Sequence, residues 1–405
     1  MIEPRGTKRG NALTDDSERL DLPDSVGRRQ YSLGIFLTAL VTLMVEILLT
    51  RVFDVILAVN ISYLIITNAM FALGAAGVYG SLFPVTRPDK IRSSIAVYAI
   101  AAALAIVAVL PATWLSWLQP NQIFRAPVTQ LAAVLLIYGA VLLPFFFLGL
   151  IFVSIFSAQS ARAQTIYFWD LLGAGIGCVV FLPFLPAIAP GGLLVCAAGL
   201  MMAVAALFTS SKVVRLSAPV VGLVLVAYPF MLQPQHLEFK LLWNKRSVAA
   251  DIMDGRREFS RWDKVAKIDV IDREFDEQDP SGVVIKGCCY KHVAYAGGNQ
   301  SSRLYQLTMT TKELRARIEA GTENVLHHFW FAGVTASHYL KRDQNYDALI
   351  LGSAGGQEVK AALMYGAGHI DAVEMVGLSV LTMSLTSPAL PPTAARSMTT
   401  LELRP

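Results

Sequence analysis

Charge is missing from half of this chain. Between Tyr31 and Leu232, 202 residues carry only 12 Asp, Glu, Lys or Arg side chains, while the other 203 residues carry the remaining 52. The chain as a whole is 16% charged and 54% hydrophobic, against about 25% charged for an ordinary soluble domain. A single soluble globule, a secreted disulfide scaffold and a disordered protein are excluded. What remains is a polytopic helical membrane domain, residues 31–232, joined to a soluble half. A net charge of +4 over 405 residues is too small and too dispersed for a nucleic-acid partner.

A membrane-spanning helix needs about 20 predominantly apolar residues. Seven stretches meet that length: 32–52, 56–83, 94–117, 128–157, 167–188, 191–209 and 214–232. Unpaired backbone is too costly in lipid, so each is expected to be helical. Residues 1–30, with Arg5, Lys8, Arg9, Arg19, Arg28 and Arg29, are too long and too charged for a signal n-region and read as a disordered tail. Basic residues recur in the 84–93 loop, at Arg162, and at Lys212 and Arg215, whereas the alternate loops hold little beyond Arg51 and Arg125. That bias places the N-terminus in the cytoplasm.

An ionisable residue at the centre of a span costs about 2.5–3.5 kcal/mol on insertion scales. Glu46, Arg51, Asp54 and Asp170 therefore form the candidate polar site of the membrane half. It is either a clamp between helices or a substrate or proton site, with Glu46 the first choice. Arg51 and Asp54 are three apart on one helix face and are expected to pair near the interface. Ala72, Ala76 and Gly80 are spaced four apart, as are Gly173 and Gly177. Small residues at that spacing let helices approach closely.

After Pro234 the texture changes. Residues 233–310 show short alternating apolar runs punctuated by Gly282, Gly287 and Gly297-Gly298, a small antiparallel β region. Cys288 and Cys289 are adjacent and no CxxC pair exists, which suits a reducing compartment. With His292 they supply too few ligands at regular spacing, so no metal is assigned. Lys312 to Ala320 reads as a helix, and Asn324 as the cap of another over 325–340, carrying His327 and His328 as structural or exposed residues.

The most informative stretch is Tyr346 to Glu374. The apolar run after Asp347 reads as a buried parallel strand, Gly352-Ser353-Ala354-Gly355-Gly356 as a glycine-rich turn, 357–366 as a helix, and His369 to Glu374 as a second strand ending in an acid. Glycines let backbone approach a ligand, and a helix N-terminus aims amides at it. An acid about 20 residues on accepts hydrogen bonds from ribose hydroxyls; Glu374 lies 22 residues after Gly352. Residues 311–375 are thus a nucleoside-binding unit, with Gly352, Ser353, Ala354, Gly355, Gly356 and Glu374 as its candidate ligand residues.

This unit resembles the cofactor motif of spermidine synthase-like proteins and of class I S-adenosylmethionine-dependent methyltransferases. The β region before it looks like the N-terminal β domain of aminopropyltransferases. Glu46 to Arg51 is similar to the E-x-x-x-x-R first helix of membrane-fused spermidine synthase-like proteins, and Tyr167 to Gly177 to their Y-x-x-D-x-x-G-A-x-x-G segment. The resemblance implies a Rossmann-like domain holding S-adenosylmethionine or its decarboxylated form. It also implies transfer of an aminopropyl or methyl group to an amine such as a polyamine. By that resemblance Gly352, Gly355 and Gly356 line the cofactor and Glu374 holds its ribose.

A cytosolic cofactor implies an inner-membrane protein whose soluble half is cytoplasmic. That needs six or eight crossings, reached by recounting the long 128–157 stretch or the short 191–209 hairpin.

The chain departs from the family at two points. Ala354 stands at the middle glycine of the usual G-x-G-x-G. The family's catalytic aspartate lies on a strand after the second, yet Glu374 is followed by a tail rich in Ser, Thr, Pro and Ala. Ser387 to Pro392 cannot be a core strand. The cofactor domain is therefore expected to be incomplete, residues 376–405 an irregular tail that is truncated or out of the ancestral frame, and no catalytic residue is assigned. The competing reading is a membrane transporter or scaffold with a vestigial or regulatory nucleoside-binding domain.

Overall fold

The computed structural model describes residues 25–376, apart from 58, 86, 116–117, 119–121, 232–236, 240–256, 279–283, 299, 306–308 and 330–332, and also residues 400–403. Seven helices are each long and apolar enough to cross a membrane, the mark of an integral membrane protein. They are α1 (Ser25–Ile56), α2 (Val59–Leu82), α3 (Pro88–Leu115), α4 (Pro127–Ala158), α5 (Ala163–Val180), α6 (Leu185–Phe208) and α7 (Lys212–Met231). The fifth is shorter than the 167–188 stretch suggests. Turns at 181–184 end it, and α6 then starts early and kinks at Ala189, just before Pro190.

Helices α1 and α6 run through the middle of the bundle, and Ile35, Leu48, Phe53, Leu185 and Met201 are fully buried there. Helices α5 and α7 lie outside and turn Leu171, Val179, Leu216 and Leu223 outward, which suits lipid.

The spaced small residues do what close packing requires. A Cβ on Gly173 would run into the Phe36 carbonyl, and one on Gly177 into that of Leu40. The two glycines thus set the parallel contact of α5 on α1. Ala76 meets Gly149 and Gly80 meets Val153, so α2 and α4 also pack in parallel. Gly199 faces Gly222 where α6 and α7 run antiparallel.

Beyond the bundle, β1 (Arg257–Trp262), β2 (Lys267–Gln278), β3 (Val284–Tyr295) and β4 (Gln300–Tyr305) form a four-stranded antiparallel meander. This is the expected β region. Cys288 and Cys289 fall in β3, on a part of it whose side chains lie outside the described residues.

Helix α8 (Thr311–Glu319) follows, capped by Thr310, whose hydroxyl accepts from Glu313 N at 3.2 Å. The helix expected over 325–340 is broken in two. Asn324 caps only a short 3-10 turn, Val325–His327, and α9 begins at Gly333 and ends at Leu340. At the break the His328 carbonyl accepts from Lys360 Nζ.

The last unit is β5 (Asp347–Leu351), α10 (Gln357–Met364) and β6 (His369–Val373), with β5 and β6 parallel. A further strand, β7 (Thr400–Leu403), pairs antiparallel with β6. It lies inside the stretch expected to be irregular; Ser387 to Pro392 is outside the described residues.

The run after Asp347, expected as a buried parallel strand, is buried on one face. Ile350 and Ile370 pack on Ala362, whereas Leu349 is 66% and Leu351 74% exposed. Among the described residues a helix covers only one side of this sheet.

The soluble half is bolted to one end of the bundle. Arg51, near the C-terminal end of α1, donates to the Lys264 carbonyl in the β1–β2 turn, with its guanidinium 5.6 Å from the Phe181 ring centroid. Trp114 of α3 donates to the Glu238 carbonyl at 3.0 Å. Gly191 of α6 lets the Leu237 carbonyl approach, and Phe239 and Trp262 join the bundle's own apolar core. The start of α1 and this sheet thus stand at opposite ends of the bundle.

Gly173→Val should force α5 off α1, costing about 1–3 kcal/mol as overpacking does. The melting temperature of the detergent-purified protein should fall. Gly175→Val, with nothing within 4 Å of its Cβ position, should leave it unchanged.

Candidate functional site

The glycine turn joins β5 to α10 and needs its glycines for two different reasons. Gly352 (φ 79°) and Gly356 (φ 71°) take left-handed backbone conformations, which side chains disfavour. Gly355 is needed for space: a Cβ there would lie 2.5 Å from Ser302 Oγ and 2.6 Å from the Arg303 carbonyl oxygen. Ala354 is also left-handed, at φ 40°. An L residue there is strained by about 1 kcal/mol or more, so the departure from the glycine pattern falls on a conformation that asks for glycine.

All five amides of the turn are taken by acceptors of the protein itself. Gly352 N donates to Val373 O at 2.8 Å and Ser353 N to the same carbonyl at 3.3 Å. Ala354 N donates to Glu374 Oε2 at 2.7 Å, Gly355 N to Ser302 Oγ at 2.9 Å, and Gly356 N to Ser353 O at 2.7 Å. The turn therefore offers no open amide cradle for a phosphate.

Glu374 is held at both oxygens, the second accepting from Val376 N at 2.9 Å. A carboxylate has about four acceptor sites, so among the described residues two are left for a ligand's hydroxyl or ammonium donors. Glu374 is half-buried.

The site lies where the two sheets meet. Gln357 Nε2 donates to the Arg303 carbonyl at 3.1 Å, alongside the Gly355–Ser302 contact. Val376, two residues past the acid, is buried against Ile268, Val270 and Val293 of the four-stranded sheet. It thus belongs to the fold rather than to an irregular tail, because its side chain fills the sheet's apolar layer. Ser302, Arg303 and Gln357 were not among the candidates read from the sequence. The one signal that could have pointed there is Gly355, which demands a close neighbour without naming it.

Behind the turn, Lys360 of α10 is tucked against Phe329, its amine 4.4 Å from the ring centroid, and it donates to the His328 carbonyl. Burial pushes its pKa down to about 8. His328 is itself buried, and burial together with the nearby Lys360 ammonium lowers its pKa. Among the described residues the ring's near polar neighbour is Glu323, with Nε2 3.5 Å from Oε1. Of the two, Glu323 Oε1 engages His327 Nδ1 more closely, at 3.1 Å.

The membrane candidates do not form one site. The contacts of Gly173 with Phe36 and Gly177 with Leu40 put Asp170 level with residue 33 of α1. Glu46 lies 13 residues further on, about 20 Å along the axis at 1.5 Å per residue. Arg51 and Asp54 sit near the sheet end of α1, where Arg51 serves the β1–β2 turn. All four are partly buried.

Where the sheet meets the bundle lies a charge cluster that sequence reasoning missed, with Lys267 and Asp269 buried and Arg257 and Glu238 partly buried. Lys267 Nζ is 2.5 Å from Glu238 Oε1 and 3.5 Å from Asp269 Oδ1, and Arg257 approaches both acids at 3.6 and 3.9 Å. Asp269 is completely buried. Breaking one partner of such a buried set costs about 3–5 kcal/mol, because a charge is left uncompensated.

No protein family, curated protein or solved structure matched the chain in the comparisons.

Lys360 gives the soluble half a pH signature. Its folded pKa lies below its unfolded value of 10.5, so between pH 8 and 10.5 the unfolded chain holds more protons and stability rises with pH. The gain is at most about 3 kcal/mol before solvent screening. Chemical denaturation followed at Trp262 should show that slope, and Lys360→Met should flatten it.

Proposed function

We propose that this chain is an integral membrane protein on the spermidine synthase-like plan. In this reading its C-terminal unit is part of a Rossmann-like domain that holds an S-adenosylmethionine-type nucleoside. The observation that carries the reading is Glu374: it closes the glycine turn through Ala354 N and keeps acceptor capacity for a ribose diol. The turn's own amides are occupied, which suits a ligand without phosphate. Around Gly352 nothing lies within 4 Å of the Cβ position, leaving room above the turn.

In this reading Glu374 orients the ribose, and the backbone from Gly352 to Gly356 forms the floor. When bound, a sulfonium nucleoside supplies an electrophilic alkyl carbon; the ancestral reaction passes an aminopropyl or methyl group to an amine. No residue is assigned to remove the amine's proton, so the reading is of a ligand-holding unit with a transferase ancestry.

Isothermal calorimetry of the detergent-purified protein with S-adenosylmethionine and with its decarboxylated analogue tests this. We expect binding of at least one, weakened at least tenfold by Glu374→Ala, which removes about 1.4 kcal/mol or more. Heat from neither ligand would sink the reading.

A second reading, a transporter or membrane scaffold with a regulatory soluble half, is favoured by the partly buried Glu46 within α1. If Glu46 couples transport, polyamine uptake into proteoliposomes should be lost in Glu46→Gln. Unchanged flux would remove that role.

A further inference from the structure

We propose that the sheet unit and the glycine turn lie on the non-cytoplasmic side of the membrane, opposite a cytoplasmic face formed by the N-terminal ends of α1, α3, α5 and α7. Two independent observations carry this.

The first is the path of the chain. Parallel packing of α1 with α5 and of α2 with α4, antiparallel packing of α6 with α7, and the short connections between consecutive helices together give the helix directions. The bundle therefore alternates up and down through seven helices. The soluble half is fastened where α1 and α3 end and where α6 begins, through Arg51, Trp114 and Gly191. The N-terminus of α1 is at the other end, where Tyr31 stacks on Phe208 and Gln30 accepts from Arg92.

The second is charge. The loops at the N-terminal end carry Arg87, Lys90, Arg92, Arg162, Lys212 and Arg215, beside Arg28 and Arg29 at the start of α1. The interhelical loops at the sheet end carry only Arg125, with Arg51 at a helix end already bonded to Lys264 O. Counting all Lys and Arg from residue 5 to 29 and from 232 to 246 as flanks, the totals become twelve against five. Basic residues in short loops and near span ends resist translocation, whereas long domains cross largely regardless of their charge. The basic end is therefore retained in the cytoplasm and the sheet end is exported.

The consequence concerns what the turn can meet. On that side the remaining acceptor sites of Glu374 face the compartment outside the cytoplasm, so any nucleoside or amine that the turn holds must reach it there. The inference rests on helix directions and loop charges, not on the nucleoside reading. Calorimetry in detergent is blind to sidedness, so failure of one leaves the other standing.

Single cysteines in a chain with its four native cysteines changed to alanine test the proposal. Ser160→Cys reports the basic end and Glu319→Cys the soluble unit; both positions are exposed. With a membrane-impermeant maleimide on intact cells, Glu319→Cys should label at once and Ser160→Cys only after lysis. The reverse pattern, or both sites protected until lysis, would overturn the proposal. Should the cysteine-free chain fail to fold, protease protection of the native chain in sealed right-side-out and inverted vesicles gives the same decision. Loss of the soluble half from right-side-out vesicles is expected, and loss only from inverted ones overturns it.

Discussion

Helix α1 is the element on which the rest of the molecule depends. Gly173 and Gly177 admit its backbone at Phe36 and Leu40, a contact in which any side chain on α5 would collide with a carbonyl. In lipid there is no hydrophobic force to pull two apolar helices together, so close backbone approach and dispersion do that work. The register fixed there carries Arg51 to the end of the bundle, where its guanidinium reaches the β1–β2 turn. Glu46 and Asp170, held about 20 Å apart by the same register, cannot cooperate directly.

From that seam the contacts run outward in sequence. Lys267, Glu238, Asp269 and Arg257 neutralise one another in a buried cluster at the base of the meander. The meander's last strand supplies Ser302 and Arg303 to the glycine turn, and Val376 returns the chain into the meander's apolar layer. Glu374 lies between these two attachments, which is why both its oxygens meet backbone amides. The turn is thus built as much by the neighbouring sheet as by its own glycines. The β5–β6 sheet is less complete: its Leu349 and Leu351 face outward, whereas a parallel sheet ordinarily has both faces covered.

Much of this architecture was legible in the residue order. The seven apolar stretches, the antiparallel meander and the strand–turn–helix–strand order each follow from a local pattern that the fold respects. The break in the helix expected over 325–340 was not legible, and at it the His328 carbonyl accepts from Lys360, a residue distant in sequence. The second strand partner β7 was invisible because Thr400–Leu403 carries no pattern longer than a few residues. The candidate acid Glu374 was found by its spacing from Gly352, but its partners were not, since nothing in a sequence says which strand will lie against a glycine.

By itself, then, the sequence determined which segments are apolar enough to cross a membrane and where a glycine turn would form. It did so because burial of apolar side chains and left-handed backbone are local demands written in residue type. Only the tertiary structure decided that the turn's amides are spent on Glu374, Ser302 and neighbouring carbonyls, that Asp170 stands far from Glu46, and that the soluble half is fastened opposite the start of α1. Those outcomes depend on pairings between segments from 20 to 213 residues apart, and such pairings are set by the geometry of packing rather than by any one stretch of chain.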